Sequence, residues 1–189
     1  TLAKLQASHA NIRGEDVSIV AAYCRKLDVD ATGASAVDAI QIDAAHGHVT
    51  AKATNGGVSL QRCSGSCDIK AAGTVSLAFD AMNGDAIASS EKGDVDVSVA
   101  PSIACDVDLK GKAVDCAGAP MLRREVDEAG LVQGALEAKR EPSRAGAGKV
   151  NVDGASQQKW DSSFISDEGG RPRIVARAPK GHVALRALS

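Results

Sequence analysis

The sequence predicts an all-β fold, a β-solenoid-like stack of short strands with glycine turns. Short alternating strands recur along the chain, a glycine or asparagine usually precedes each one, and aromatic residues make up only 2% of the composition. The first inward-facing residues of successive units are separated by 9, 9, 8, 11, 9 and 10 residues: Val49, Val58, Cys67, Val75, Ala86, Val95 and Cys105. Strands this short cannot bury a core alone, so the units must stack to complete one.

Each unit alternates between an apolar and a polar face. Val95 and Val97 face one way, for example, while Asp94 and Asp96 face the other. A period of two indicates a strand with one buried side and one wet side. Glycines stand where the chain must turn: Gly47, Gly57, Gly65, Gly73, Gly84, Gly93 and Gly111. A twisted sandwich of short strands has the same spacing of units and is the alternative architecture.

The chain length suits a single β-repeat domain over residues 1–189. The regular repeats occupy residues 46–112, and less regular strands precede them at 17–19, 27–29 and 40–42. Residues 118–149 break the rhythm with charged residues and helix formers, so we expect either a short helix or an irregular hairpin there. Residues 150–189 then supply the closing strands, at 150–152, 173–177 and 182–185.

The composition excludes several classes of function. The net charge of -2 gives no electrostatic reason to expect a nucleic-acid partner, which needs clustered Lys and Arg. The four aromatic residues are too few for a stacking surface that binds bases or sugars. No run of about 18 apolar residues occurs, so we expect no transmembrane segment.

Five scattered cysteines form a poor disulfide framework and favour a reducing compartment. Cys67 and Cys105 fall on inward positions, where a thiol behaves as a small hydrophobic side chain. Cys63 lies outside this inward set and is expected at the surface. Since Cys63 and Cys67 bracket a turn, a disulfide between them is sterically conceivable.

Asp43, His46 and His48 are the best candidates for metal ligands. A His-x-His pair on a strand places both imidazoles on one face, where a nearby carboxylate could complete a site. The alternative is that the two histidines are exposed polar side chains beside a turn at Gly47. We favour this alternative and predict no metal site.

Two charged groups stand out. Outward-facing carboxylates form an acidic row on adjacent predicted strands: Asp94, Asp96, Asp106 and Asp108. Calcium could bridge such a row, although solvated charges that discourage sheet aggregation explain it more simply. A basic strand carries Arg171, Arg173 and Arg177, and could dock on an acidic surface or form a protected edge.

No catalytic motif is evident. The glycine-rich segment 145–149 ends in Lys149 but lacks the spacing and the following Ser or Thr of a phosphate loop. No G-x-S-x-G sequence occurs, and none of the four histidines lies near a recognisable nucleophile. The sequence therefore predicts a non-enzymatic protein without a cofactor or a small-molecule ligand.

The repeated Gly-x-Val pattern from His46 to Gly111, with the later unit 148–154 and the ending 178–185, resembles a bacterial family of adhesin-type β-strand repeats. That family is related to the head domain of auto-transporter adhesins and has eukaryotic relatives, some of them predicted to be mitochondrial. The resemblance implies a right-handed solenoid-like fold and no established catalytic residues.

Three functions follow as hypotheses. The favoured one is a structural or interaction module, an accessory subunit that binds other protein subunits of a larger assembly. The alternatives are a surface adhesion module and a β-solenoid enzyme with an unrecognised site. The chain begins at Thr1 rather than Met, from which we expect that a preceding segment has been removed. Together with the resemblance, this predicts a mitochondrial or otherwise intracellular soluble protein.

Overall fold

The fold is seen in a computed structural model that describes residues 1–33, 38–116, 121–126, 131–136 and 171–188. Strands make up 82% of these residues, helices are absent from them, and the chain winds into a parallel β-solenoid of about 5 turns. The described strands are β1 (Leu2–Gly14), β2 (Val17–Ala31), β3 (Asp38–Ala53), β4 (Gly57–Ala71), β5 (Val75–Ser90), β6 (Val95–Val99), β7 (Cys105–Asp115), β8 (Met121–Val126), β9 (Val132–Leu136) and β10 (Arg173–Ala187).

Each turn of the solenoid, or rung, contains two of the units that the sequence predicts. Val58, Val75 and Val95 stack on one another in parallel register, whereas Cys67 stacks on Ala86. Units that follow one another in sequence are thus the two halves of one rung, joined at a corner. The prediction of a solenoid is confirmed, and the sandwich alternative is wrong because the halves pair with the next rung.

The core consists of columns of like residues that run through the rungs. One column is entirely aliphatic and fully buried: Ile19, Ile42, Leu60, Leu77, Val97 and Leu185. Burial of each such side chain stabilises the fold by about 1.5–3 kcal/mol. A neighbouring column uses smaller residues, Ala22, Ala45 and Cys63, and continues through Phe79, the bulkiest fully buried side chain of the described residues, to Val99.

Glycines let adjacent rungs approach closely at the corner. Gly47 has a φ of 105°, a conformation that is strained for any other residue. A Cβ atom at Gly47 would collide with the carbonyl oxygen of Cys24 in the rung below, and one at Gly65 would collide with the carbonyl oxygen of Gly47. The prediction that Gly47 serves a turn is therefore confirmed, and Gly65 repeats the arrangement one rung later.

Strand β10 returns from far along the chain and is inserted into the stack. The strand order is β1-β2-β3-β4-β5-β6-β10-β7-β9-β8, so β10 separates β6 from β7. Its first half pairs in parallel with β5 and β7, and its second half pairs with β6 and β7. The two predicted closing strands at 173–177 and 182–185 are the two halves of this one strand.

An antiparallel hairpin covers the solenoid beyond β7. Strand β9 pairs with β7 from Cys105–Leu136 to Leu109–Val132, and β8 pairs with β9. For the excursion predicted at 118–149, the hairpin alternative is confirmed over the two strands and the helical alternative is wrong there. The predicted strand at 150–152 lies outside the described residues, and the single domain over 1–189 stays a prediction.

Candidate functional site

Strand β1 is an edge strand of the sheet that the described residues form. Among the described strands, β1 pairs on one side only, with β2. Its inward side chains Leu5, Ala7, Ala10 and Ile12 pack against the core but are only partly buried. We call the outer side of β1, over Leu2–Gly14, the open edge. Its outward backbone N–H and C=O groups have no partner strand among the described residues, and such groups can template a further strand.

Exposed apolar side chains concentrate beside the open edge. Four large hydrophobic residues of the described chain are exposed, and three lie in the first two strands: Leu2 at 39%, Val20 at 45% and Tyr23 at 44%. The fourth, Ile87, lies in β5. Apolar surface gathered in one place marks an interaction site more often than scattered single residues do.

The open edge carries basic charge. Strand β1 contains Lys4, His9 and Arg13 but no carboxylate. The Lys4 ammonium lies 5.5 Å from the centre of the Tyr23 ring, and Arg13 Nε lies 3.5 Å from Asp30 Oδ2 on β2. Both cations are held on the outer surface by the neighbouring strand, which leaves their other sides toward solvent.

A groove follows the corner of the rungs from β1 to β5. The Tyr23 and His46 rings, from adjacent rungs in register, stack there with centroids 4.8 Å apart and planes 8° apart. The groove has a volume of about 780 Å³, and Gln6, Cys24, Ser64 and Asn83 are among its lining residues. Its lining is mostly apolar, so it extends the exposed apolar surface beside the open edge.

The structure does not bring the predicted metal ligands together. Asp43 accepts a hydrogen bond from Gln41 Nε2 at 3.1 Å. His46 stacks on Tyr23, whereas His48 contacts Ser66 Oγ through Nδ1 at 2.8 Å and Thr50 Oγ1 through Nε2 at 3.4 Å. The corner at Gly47 turns the two histidines toward opposite rungs. Over the described part of the chain, no group of three or more His, Cys, Asp or Glu side chains is arranged to hold a metal ion.

The acidic row and the basic strand, predicted separately, contact each other. The expectation that the acidic row lies on adjacent strands is wrong, because β10 separates β6 from β7. Strand β10 carries Arg173, Arg177, Lys180 and Arg186 and no carboxylate. The basic strand is therefore not an edge strand, because β10 lies between β6 and β7 and Arg177 pairs with Asp108 of the acidic row. Its docking on an acidic surface stays a prediction.

Specific contacts join the acidic row to strand β10. Arg177 Nη2 lies 3.6 Å from Asp108 Oδ2 on β7, and Arg186 Nη2 lies 4.0 Å from Asp96 Oδ1 on β6. Asp94 Oδ1 accepts a hydrogen bond from the His182 N–H at 2.7 Å. Carboxylates outside the predicted row contribute as well, since Asp85 Oδ1 accepts a bond from the Arg173 N–H at 2.9 Å.

The predictions for the cysteines are partly confirmed. Cys67 and Cys105 are buried as predicted, but Cys63 is also fully buried, so its predicted exposure is wrong. Cys63 and Cys67 are thiols rather than a disulfide. Burial, with a smaller contribution from Asp80, raises the pKa of Cys63 to about 12, and burial with Asp106 raises that of Cys105 to about 11. These thiols are uncharged core side chains and poor nucleophiles.

The open edge was not predicted from the sequence, although a signal exists. Polar and apolar residues alternate over residues 2–14 as they do in the buried strands. The inward positions, however, include two alanines, and all the charged side chains of this segment are basic. The glycine-rich segment 145–149, which we rejected as a phosphate loop, lies outside the described residues.

Comparison with known proteins gives no match to a family model, to a curated protein or to a solved structure. Among the described residues, no helix is long and apolar enough to cross a membrane.

Proposed function

We propose that this protein is a non-catalytic interaction module, an accessory subunit that binds other proteins of a larger assembly. The observation that supports the proposal best is the open edge of β1, with partly buried core residues beneath it and exposed Leu2, Val20 and Tyr23 beside it. An exposed edge of a sheet is an aggregation hazard unless it is protected or occupied. Occupation by a partner would remove the hazard and bury the apolar surface.

The mechanism of binding would be strand addition. Main-chain hydrogen bonds to an exposed edge supply affinity, and the side chains that alternate along the added strand supply specificity. The stacked rungs make β1 a rigid template, because the backbone of β1 is hydrogen-bonded to β2 along Leu2–Gly14. A rigid template loses little conformational entropy on binding, which favours affinity.

The location that we propose is a mitochondrial or other reducing intracellular compartment. Four buried thiols, Cys24, Cys63, Cys67 and Cys105, are consistent with a reducing environment. A surface adhesion module remains the alternative function. Protein recovered from an oxidising compartment, with mapped disulfides, would favour adhesion over the subunit proposal.

An enzyme on a β-solenoid is the third candidate. Its test is a pair of substitutions on either side of Gly47, His46→Ala in the corner groove and His48→Ala beside Ser66. Loss of a measured activity in either variant, with the fold intact, would favour the enzyme over the interaction module.

The main experiment measures the native mass of the protein in a gently solubilised extract of its own cells, by native gel electrophoresis with mass spectrometry. We expect migration in a complex far heavier than the 19.2 kDa chain. Cross-linking of that complex would then identify the docking surface. Migration as a free monomer under mild conditions would contradict the accessory-subunit proposal.

A further inference from the structure

We infer that an exposed basic face of the solenoid binds a segment of a partner protein that is acidic and carries an aliphatic side chain. The face lies on strands β3, β4, β5, β10 and β7 and does not involve β1. The inference rests on the proposed function for the class of partner, a protein, and it adds a second binding surface with a stated chemistry.

Cations stand side by side in one outward row that crosses five strands. The row is continuous in the register of the parallel strands: Lys52, Lys70, Ser89, Arg177 and Lys110. Neighbouring strands lie about 4.8 Å apart, so the row is about 19 Å long. The four cations are exposed, although like charges on neighbouring strands are destabilising. The fold thus carries a concentration of positive charge that does not serve its own stability.

Ion pairs neutralise only part of the row. Arg177 Nη2 lies 3.6 Å from Asp108 Oδ2. Among the described residues, none of the three lysines of the row forms an ion pair. Asp68 lies two positions before Lys70, on the same face, without an ion pair between them. The lysine ammonium groups are therefore available to carboxylates of another molecule.

Further lysines extend the positive charge around the corner that follows the row. Glycines stack at this corner: a Cβ atom at Gly181 would meet the Gly93 carbonyl oxygen, and one at Gly111 would approach the Gly181 carbonyl oxygen. The exposed lysines next to these glycines in sequence are Lys92, Lys112 and Lys180. Glu91, at the same corner, offsets only part of their charge. We call the whole set the basic face: Lys52, Lys70, Lys92, Lys110, Lys112, Arg177 and Lys180.

An apolar spot borders the row. Ile87 is 42% exposed and lies two residues before Ser89, so both side chains point outward on the same face. Ile87 is in register with the half-buried Val175 on β10. Outside the first two strands, it is the only exposed large hydrophobic residue of the described chain. An apolar anchor with charges around it is typical of protein-binding surfaces, since the anchor supplies affinity and the charges supply rate and orientation.

The make-up of the basic face favours carboxylates over the phosphates of nucleic acids. All but one of its cations are lysines, whereas arginine is the residue that matches phosphate with two parallel hydrogen bonds. Of the described aromatic residues, Tyr23 lies on β2 and Phe79 is buried, so neither offers this face a platform for stacked bases. An acidic protein segment with an aliphatic side chain matches both the cations and Ile87.

The test titrates the full chain with a synthetic peptide in which two leucines stand between runs of glutamate. We expect amide resonances around Lys70, Ile87, Lys110 and Arg177 to shift, and those of residues 17–22 to stay unchanged. Binding should weaken as salt is added, because the charges are exposed. A peptide with Gln in place of Glu should not bind, and one with Ser in place of Leu should bind several-fold more weakly. Absence of binding by the first peptide, or equal binding of the glutamine peptide, would overturn the inference.

Charge variants locate the site. Lys70→Glu with Lys110→Glu should weaken binding of the acidic peptide by about tenfold or more and reduce its dependence on salt. The milder pair Lys70→Gln with Lys110→Gln should give an intermediate loss and keeps the test valid if the first pair fails to fold. The matched control reverses two exposed cations outside the face, Lys26→Glu with Arg62→Glu, and should leave the affinity unchanged. An equal loss in the control would contradict the proposed location.

The apolar contact has its own variant. Ile87→Ala should weaken binding of the leucine peptide by about threefold to tenfold, because less apolar surface is then buried. The dependence of the affinity on salt should stay as in the wild type, and the serine peptide should lose nothing. An unchanged affinity for the leucine peptide would show that the face binds by charge alone, which would contradict the aliphatic requirement.

Phosphate-bearing molecules are the competing occupants. A single-stranded oligonucleotide, and vesicles of phosphatidylcholine with phosphatidylserine, are titrated with the same protein. We expect neither to displace the acidic peptide at physiological salt. Tighter binding of either one, lost in the Lys70→Glu and Lys110→Glu variant, would make phosphates the occupant and overturn the choice of a protein segment. Self-association lost in the same variant would make a second copy the occupant, with the same consequence.

The native complex separates this inference from the proposed function. Loss of the heavy complex in the Lys70→Glu and Lys110→Glu variant would support both. If the complex survives, the protein is an accessory subunit through another surface, and the inference fails. If the wild-type protein migrates as a monomer in its own extract but binds the acidic peptide through the basic face, the accessory-subunit proposal fails and the inference stands.

Discussion

The two ends of the solenoid are built differently. At the β7 end, an inserted strand and an antiparallel hairpin cover the stack, so that Cys105 and Leu109 are fully buried. At the β1 end, the equivalent inward residues Ala10 and Ile12 remain partly exposed. At the β7 end Arg177 of β10 pairs with Asp108 of β7, whereas on β1 Arg13 pairs with the more exposed Asp30 of β2.

The comparison indicates that the last rung of the stack must be covered, and at the β7 end the chain itself supplies the covering strands. Apolar rungs and unpaired strand edges are costly to leave open, and terminal caps are the usual protection in solenoids. Among the described residues no further strand covers β1, so the two ends differ in the cover that the described chain supplies. The following tests measure how unequal the two ends are.

The largest expected effect comes from removing core volume in the inserted strand. Leu185→Ala in β10 should lower the free energy of unfolding by about 2–5 kcal/mol, because the side chain is fully buried and leaves a cavity. Leu2→Ala, at the 39% exposed position of the open edge, should cost less than about 1 kcal/mol. Urea unfolding of both variants measures the difference, and equal losses would show that the two ends are equally well packed.

An effect of intermediate size concerns the buried thiol of Cys63. Its pKa is raised from 9.0 to about 12 in the folded state, chiefly by burial. Above pH 9 the unfolded chain therefore loses a proton that the folded chain keeps, so stability should fall as the pH rises from 9 toward 12. The expected slope is at most about 1.4 kcal/mol per pH unit.

Cys63→Ala removes this titration, so the free energy of unfolding should fall less steeply as the pH rises above 9, whatever the effect of the substitution at neutral pH. Urea unfolding at several pH values measures both slopes. An unchanged slope would mean that the Cys63 thiol is accessible to water in the folded protein.

A smaller effect is expected at the corner. Gly47→Ala should cost about 1–3 kcal/mol, because alanine is strained at the positive φ and its Cβ meets the Cys24 carbonyl. The control, Gly14→Ala at the end of β1, should be nearly neutral, since its Cβ would approach Val17 Cγ2 at an ordinary 3.4 Å. Thermal unfolding of the two variants measures the effect. An unchanged stability of the Gly47→Ala variant would mean that the rungs separate at the corner.

The smallest effect compares one ion pair from each end by double-mutant cycles. The Asp108 side chain at the Arg177 pair is 14% exposed, and the Asp30 side chain at the Arg13 pair is 46% exposed. We expect a coupling energy of at most about 1 kcal/mol for Arg13 with Asp30, and a larger, less salt-sensitive one for Arg177 with Asp108. Equal coupling energies would remove the electrostatic distinction between the ends.

The fold class could be predicted because the period-two alternation is local. Val58 with Leu60, and Val95 with Val97, point into the core whichever rung lies next to them. The pairing of β10 could not be predicted, because the partners of Arg177 and Arg186 lie on β7 and β6, far away in sequence. The opposite charges of these strands are evident in the sequence, but no local pattern indicates which strands lie next to each other.

At the candidate site, local reasoning succeeded for Gly47 and failed for the histidines. Simple alternation places His46 and His48 on one face, but the corner at Gly47, where φ is positive, turns them toward opposite rungs. The burial of Cys63 was missed because the register shifts between Leu60 and Cys63, which changes the phase of the alternation before Gly65.

The central claim is that the open edge of β1 is the binding surface, and hydrogen exchange tests it most directly. Exchange would be followed by mass spectrometry for the purified protein and for the same protein in its native complex. We expect the β1 amides that point away from β2 to exchange fast in the free protein and to be strongly protected in the complex. Protection elsewhere with these amides unchanged, or slow exchange of these amides in the free protein, would contradict the claim.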